Sequence, residues 1–396
     1  MPWKETRVMD ERMQFLGMYL EHEWDMASLC RHFEISRKTG YKWVSRYIEE
    51  GAAGLAGHSR APLSHRHAVA EPIIEAIVAA RGEHPTWGPR KLRAWLQRRR
   101  PETIWPASST TGEILRCHGL TVPRGRSRKG SPYTEPLQHC HRSNAVWSAD
   151  FKGWFVTGDG RRCDPLTITD NYSRYLLRCQ AVKATDHEAV QPIFEAVFRE
   201  YGLPEAIRTD NGPPFATTTV GSLSRLSIWW LKLKIRPERI EPGKPAQNGR
   251  HERMHRTLKR ETATPPKRTW RLQQQAFDNF RQEYNHDRPH ESINDDIPAN
   301  WYQPSLRQYP LVVPEMTYPE DMTVRRVHSQ GDLRWKNHQI YLSDTLAGEP
   351  VGLRQTDNDR WELYYGPIKL ALLDSAVYRL LHLPRAIKKH MTKRIT

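Results

Sequence analysis

The chain has 396 residues and carries 61 Lys and Arg against 45 Asp and Glu, a formal charge of +16. Its hydrophobic share of 38% is too high for wholesale disorder, and no uncharged apolar run reaches the roughly 18 to 20 residues of a bilayer span. A positive surplus of this kind points first to a nucleic-acid partner. The opening segment lacks the apolar core of a secretory leader, and five widely spaced cysteines contain no CxxC pair. A reduced, cytoplasmic chain with no membrane role is expected. His139-Cys140-His141 has no second Cys/His pair at finger spacing, so no zinc module is read there.

In chain order, residues 1–55 read as a helix-turn-helix unit. Met13, Leu16 and Leu20 share one face, and Met26, Leu29, Cys30 and Phe33 form a second apolar stripe. Ser36 is a good N-cap for a basic helix in which Trp43, Val44 and Tyr47 turn inward. Arg37, Lys38, Lys42 and Arg46 turn outward, where they would meet DNA. Gly51 to His67 reads as a linker.

Residues 66–120 form a second such unit, with Ile73, Ile74, Ile77 and Val78 apolar, a break at 84–89, and a basic helix carrying Arg90, Lys91 and Arg93. Residues 121–143 are a basic inter-domain linker. The character then changes. Trp147, Ala149 and Phe151 alternate with polar neighbours, and turns at Gly158-Asp159-Gly160 and Asp170-Asn171 separate further strands. A helix from Asp186 to Tyr201 and a strand at 206–209 complete an α/β unit of ribonuclease-H type over 144–300. The stretch 222–234, with paired tryptophans, reads as looser. Period-two strands over 320–375 suggest a small antiparallel β-barrel, and 384–396 is a basic tail. The expected class is therefore multidomain: α, then α/β, then β.

Three carboxylates stand out. Asp150 lies mid-strand among bulky apolar residues, where a charge is costly unless paired or metal-bound. Asp210 ends the fourth strand, and Glu252 lies on a helix whose Met254 and Leu258 pack inward while Glu252, Arg256 and Lys259 share another face. Taken alone, Glu252 could equally be half of a solvated Glu-Arg pair. Glu241 is a rival third carboxylate, disfavoured by its place before Pro242 and Gly243 on a loop. Asp159 and Asp170 read as turn residues.

The segments Trp147-Ser148-Ala149-Asp150, Thr209-Asp210-Asn211-Gly212, Asn248-Gly249-Arg250-His251-Glu252-Arg253 and Tyr284-Asn285-His286-Asp287-Arg288-Pro289-His290 together resemble the signature of the retroviral-integrase superfamily. Within it, the match is to bacterial insertion-sequence DDE transposases. The resemblance covers about 140–300. It implies that Asp150, Asp210 and Glu252 ligate Mg²⁺ (or Mn²⁺), two ions per site, and that the enzyme cleaves transposon ends and joins the 3′-OH to target DNA. Lys244, Arg250, Arg253, Arg256 and Lys259 would then hold double-stranded DNA, and paired ends would need at least a dimer. The 41 residues between Asp210 and Glu252 exceed the spacing usual in that family. A DNA-binding regulator with an idle core and a structure-specific nuclease are the rival readings.

Overall fold

The computed structural model describes residues 8–56, 69–121, 140–217, 220–240, 249–357 and 359–381, divided between two compact units, Met1–Ala70 and Glu71–Thr396. The first unit holds helices α1 (Val8–Leu20), α2 (Met26–His32) and α3 (Arg37–Glu50). The Asp25 carboxylate caps α2 and the Ser36 hydroxyl caps α3, each accepting from N–H groups of the first turn. Leu29, Cys30, Trp43 and Val44 are buried, as their spacing predicts.

Helix α1 departs from its expected face. Of that face only Leu16 is buried; Met13 and Leu20 are 54% and 51% exposed, and Phe15 joins Leu16 in the core. Arg12 explains the rotation: its guanidinium lies 3.7 Å from the Trp43 ring and donates to the Leu55 carbonyl oxygen at 2.7 Å. An inward position is thus occupied by a residue that pattern reading assigns to solvent. Leu55 ends a 3-10 turn, Gly51–Leu55, so the start of the expected linker packs onto this unit. Gly40 is needed near α2, since a Cβ there would lie 2.6 Å from Cys30 Sγ.

The second unit begins with α4 (Glu71–Glu83), α5 (Pro89–Arg99) and α6 (Ser108–Cys117), closed around Ile77, Trp87, Leu92, Trp95, Trp105 and Leu115. There follow β1 (Val146–Phe151), β2 (Phe155–Val156), β3 (Arg162–Asp170), β4 (Leu176–Val182), α7 (His187–Tyr201) and β5 (Ala206–Thr209). Helix α8 (Arg225–Lys232), β6 (Arg236–Arg239), α9 (Gly249–Thr262) and α10 (Trp270–His286) complete the core. The sheet order is β4-β3-β1-β5-β6, with β2 also beside β3. Strands β1, β3 and β4 are antiparallel neighbours, whereas β5 runs parallel to β1 and β6 parallel to β5. Parallel pairing needs a crossover, which α7 supplies on the way to β5 and α8 on the way to β6. This is the expected ribonuclease-H-like arrangement.

Alternation along the strands separates the two faces. Trp147, Ala149, Leu166, Ile168 and Ile207 pack with residues of α7 and α8. Cys163, Leu176, Cys179 and Ala181 pack with Met254, Leu258, Phe277 and Phe280 of α9 and α10. The stretch read as loose forms α8, and Trp229 and Trp230 are buried in the first of these cores.

The C-terminal segment forms β7 (Thr323–Arg326), β8 (Asp332–Trp335), β9 (His338–Tyr341), β10 (Pro350–Asp357), β11 (Arg360–Tyr365), β12 (Ile368–Asp374) and β13 (Arg379–Leu381). The expected β-barrel is corrected to an open antiparallel sheet, β13-β12-β11-β10-β7, with β8-β9 as a separate hairpin. The edge strands are only three and four residues long and do not pair with each other among the described residues. Leu333, Trp335 and Ile340 of the hairpin enter the same apolar core as Leu353, Leu363 and Leu373, covering the sheet by packing rather than by a closed ladder. No helix among the described residues is long and apolar enough to cross a membrane.

Candidate active site

Strands β1 and β5 set the geometry. Ser148 pairs with Arg208 in parallel register, so Asp150 and Asp210 each follow that pair by two residues, at one level of two adjacent chains. Asp150 is half-buried on β1, opposite Thr167 of β3. Asp210 is exposed just beyond β5, and its carboxylate accepts from Gly212 N–H at 3.3 Å. Glu252, Arg253, Arg256 and Lys259 are exposed on α9, whereas Met254 and Leu258 are buried beneath it. Lys244, Glu241 and the 384–396 tail lie outside the described residues, as do residues 122–139 of the linker and the Arg250 side chain.

The face of α9 turned to the sheet is polar at one end. His251 and His255 are 4% and 5% exposed, and the Nε2 atom of each lies 2.6 Å from the Thr167 hydroxyl. That hydroxyl also lies 3.2 Å from the Asp150 carbonyl oxygen, and His251 Nδ1 lies 3.2 Å from the Thr169 hydroxyl. Burial pushes His251 down to about 3; burial, then His251 and Lys152, push His255 down to about 2. Both rings are therefore neutral at pH 7. Asp150, His251 and His255 offer ligand atoms within 4.8 Å of one another. Sequence reading missed this pair. Its signal was the i, i+4 spacing of His251-Glu252-Arg253-Met254-His255, which puts both imidazoles on one helical face.

Asp170 and Asp159 sit in turns. Asp170 is buried and accepts from Asn144 N–H, Ser173 N–H and the Ser173 hydroxyl. Asp159 accepts from the Thr157 hydroxyl and from Trp270 N–H.

The basic residues of the two helical units differ in placement. Arg37, Lys38 and Lys42 of α3 are exposed, while Arg46 is half-buried with its guanidinium 5.2 Å from the Trp43 ring. On α5, Arg90 and Arg93 are exposed and Lys91 is half-buried. Arg90 pairs with Glu291 and, at 2.9 Å, with Asp295 of the core. Lys91 is half-buried, and burial, then Arg288, lowers it to about 8. Nearby, Trp95 Nε1 donates to Asp287 at 2.7 Å and Arg98 donates to the Asp287 carbonyl oxygen. Part of this basic helix is thus engaged with acids of the core, while Arg90, Arg93 and Arg99 keep solvent-exposed side chains. The acids that receive it lie some 200 residues downstream, where no local pattern could reveal them.

The Integrase core domain family matches residues 140–245 and 233–298. A Helix-turn-helix domain matches 11–62 and a Homeodomain-like domain matches 39–115. The insertion element IS407 uncharacterized 31.7 kDa protein of Burkholderia multivorans is 30% identical over 254 residues, covering 62% of this chain and 87% of the relative. The insertion element IS476 uncharacterized 39.2 kDa protein of Xanthomonas euvesicatoria is 30% identical over 263 residues, covering 64% and 72%. Solved structures are more distant: an integrase catalytic core of HTLV-2, in complex with magnesium, is 15% identical over 41% of this chain and 99% of its own, with a TM-score of 0.32. With integrase-core and helix-turn-helix matches in one chain, and insertion-element relatives covered over most of their length, this protein belongs to the bacterial insertion-sequence transposases of the retroviral-integrase superfamily, DDE-type polynucleotidyl transferases.

Proposed function

We propose that this transposase binds the inverted repeats at its element's ends, cleaves there to expose a 3′-OH, and joins that 3′-OH to target DNA at one site built from Asp150, Asp210 and Glu252. The observation that carries the reading is the parallel register of β1 and β5, which sets Asp150 and Asp210 at the same level of neighbouring strands. Parallel neighbours lie about 4.8 Å apart, close enough for two carboxylates to share an ion. Helix α9, which bears Glu252, packs through Met254 and Leu258 on the sheet face to which Cys163 and Cys179 also belong.

The donor set fits a hard cation, since carboxylate oxygens suit Mg²⁺ or Mn²⁺ and no thiolate is among them. Asp150, Asp210 and Glu252 would hold two such ions, which when bound offset charge on the attacking and leaving oxygens of a phosphodiester. The chain's own residues do the rest. Arg253, Arg256 and Lys259 stand exposed on the helix of Glu252 and would hold backbone phosphates, joined by Lys244 and Arg250. Arg37, Lys38, Lys42 and Arg46 of α3, and Arg93 of α5, would grip the repeat. Arg90, exposed beside Glu291 and Asp295, would join them, and half-buried Lys91 would contribute only if its surroundings opened. Joining two ends to one target implies at least a dimer.

A labelled, pre-nicked transposon end incubated with plasmid and Mg²⁺ tests the reading. Label joined to the plasmid is expected, and Asp150→Asn should abolish joining while retaining end binding. Cleavage without joining would instead mark a nuclease, and binding without either reaction would mark a regulator. Joining by Asp150→Asn at the wild-type rate would overturn the site.

A further inference from the structure

We propose that His251, His255 and Asp150 form a second, chemically distinct metal site, one that takes a borderline transition-metal ion of the zinc class rather than Mg²⁺. The case starts from placement. Two histidines four residues apart on α9 project from one face, and both Nε2 atoms converge on a single point, the Thr167 hydroxyl at 2.6 Å from each. The ligand atoms of His251, His255 and Asp150 lie within 4.8 Å of one another. In a tetrahedral zinc site, ligands at about 2.0 to 2.1 Å from the ion stand roughly 3.4 Å apart. Side-chain adjustments of about an ångström would therefore close the three around an ion.

The chemistry of the donors separates this site from the three-carboxylate site. Imidazole nitrogen suits Zn²⁺, Co²⁺ and Ni²⁺ and is a poor match for Mg²⁺. Both rings are buried, and their nitrogens meet at one point beneath the helix rather than in bulk water. Two imidazoles and one carboxylate leave a fourth position, which the Thr167 hydroxyl or a water would fill. Thr169, beside His251 Nδ1, orients that ring from behind, as outer groups do in histidine sites. Lys152 acts against binding, because its charge bears on His255. The Asp150 carboxylate offsets that charge in the assembled site.

The His-Glu-x-x-His spacing also occurs in zinc peptidases, where the glutamate serves beside the metal in an open cleft. Here Glu252 is exposed on the helix while both histidines are buried against the sheet, so the inference is metal binding and not peptide hydrolysis. One consequence rests on the function proposed above. Asp150 cannot serve both ions equally, so a zinc-class ion would withdraw it from the strand-transfer site.

Cobalt titration of the metal-free, full-length protein tests the binding itself. Wild type should take up one Co²⁺ with the visible d–d absorption of a four-coordinate ion and without the near-ultraviolet band of thiolate ligation, which excludes the five cysteines. Excess Mg²⁺ should leave that spectrum in place. His255→Asn should abolish the band, and Asp150→Asn should weaken binding by roughly 10-fold or more, with circular dichroism melts reporting whether each variant is folded. If His255→Asn fails to fold, Asp150→Asn, on a half-buried side chain, decides the matter. An unchanged cobalt affinity in folded Asp150→Asn, or no d–d band in wild type, would overturn the site. Neither result bears on whether Mg²⁺ supports joining, so this inference and the proposed function fail separately.

Discussion

Arg288 offers the sharpest test of how the second helical unit is held to the core. It is 4% exposed, and one guanidinium nitrogen donates to both Glu261 oxygens, at 2.9 and 3.2 Å. Its guanidinium carbon lies 5.6 Å from the centre of the Trp87 ring, and the Thr86 hydroxyl donates to the same carboxylate. Replacing Arg288 by Met keeps most of the volume but leaves Glu261 largely enclosed, with Thr86, the more distant Arg260 and the charge of Lys91 as its partners. Removing one member of a buried pair costs about 3 to 5 kcal/mol. These remaining partners set the expectation at the lower end, about 3 kcal/mol, and at roughly 2 to 4 °C per kcal/mol for a domain of this size the melting point should fall by about 6 to 12 °C. The double variant Arg288→Met/Glu261→Leu removes both charges and forfeits chiefly the Thr86 hydrogen bond, worth about 1 kcal/mol. It should therefore be more stable than Arg288→Met alone. Thermal melts followed by circular dichroism measure all four corners of the cycle. A double variant no more stable than the single would refute the view that a stranded carboxylate, rather than lost arginine packing, dominates the loss.

Two further outcomes are expected. Gly40→Ala brings a Cβ to 2.6 Å from Cys30 Sγ and 3.0 Å from Met26 Sδ, so it should destabilise the first unit by about 1 to 3 kcal/mol. Adding Cys30→Ala should recover part of the loss, and a melt showing no change in Gly40→Ala would refute the contact. His290 is pushed down to about 3 by burial, then by Lys91 and Arg288. Its folded value lies below its ordinary one of 6.5, so its contribution is intact above that pH and erodes as the pH falls. At about 1.4 kcal/mol per unit the loss from pH 6.5 to 5 is at most about 2 kcal/mol, and partial exposure reduces it to about 1. His290→Gln should show a correspondingly smaller fall in melting point between pH 7 and 5 than wild type, and equal falls would count against the assignment.

Where one face of an element repeats at a fixed period, the sequence was legible. The strand alternation around Trp147, the cap at Ser36 and the inward pair Met254 and Leu258 all lie where periodicity and end chemistry put them. Long-range polar partners were not. Nothing in the sequence brings Arg12 to Trp43 and the Leu55 carbonyl, and nothing near Arg90 announces its pairing with Asp295. The small C-terminal strands show their alternation but not their closure, because whether two edges pair depends on curvature and on what covers the sheet. The site divides similarly. That Asp150 and Asp210 fall on neighbouring strands was legible, since the strand after α7 was expected beside the first. The histidines escaped notice because their meaning depends on a threonine 84 residues from His251.

The same partition bears on what the surplus of positive charge does. A count of +16 does not distinguish a guanidinium offered to a phosphate from one already held by a carboxylate. In the second unit, Arg90, Arg98 and Arg99 lie against Glu291, Asp295 and Asp287, Arg288 against Glu261, and Arg208 against Glu238. These pairs join elements to one another, and phosphates could recruit their cations only by displacing acids at close range. The cations of α3 and of the outer face of α9 are differently placed, exposed and beside few acids. Counterion release on binding DNA should therefore draw more on such exposed cations than on those held in ion pairs. The basic helix α5, which resembles a DNA reader as closely as α3 does, also joins the second helical unit to the core through Arg90, Trp95 and Arg98.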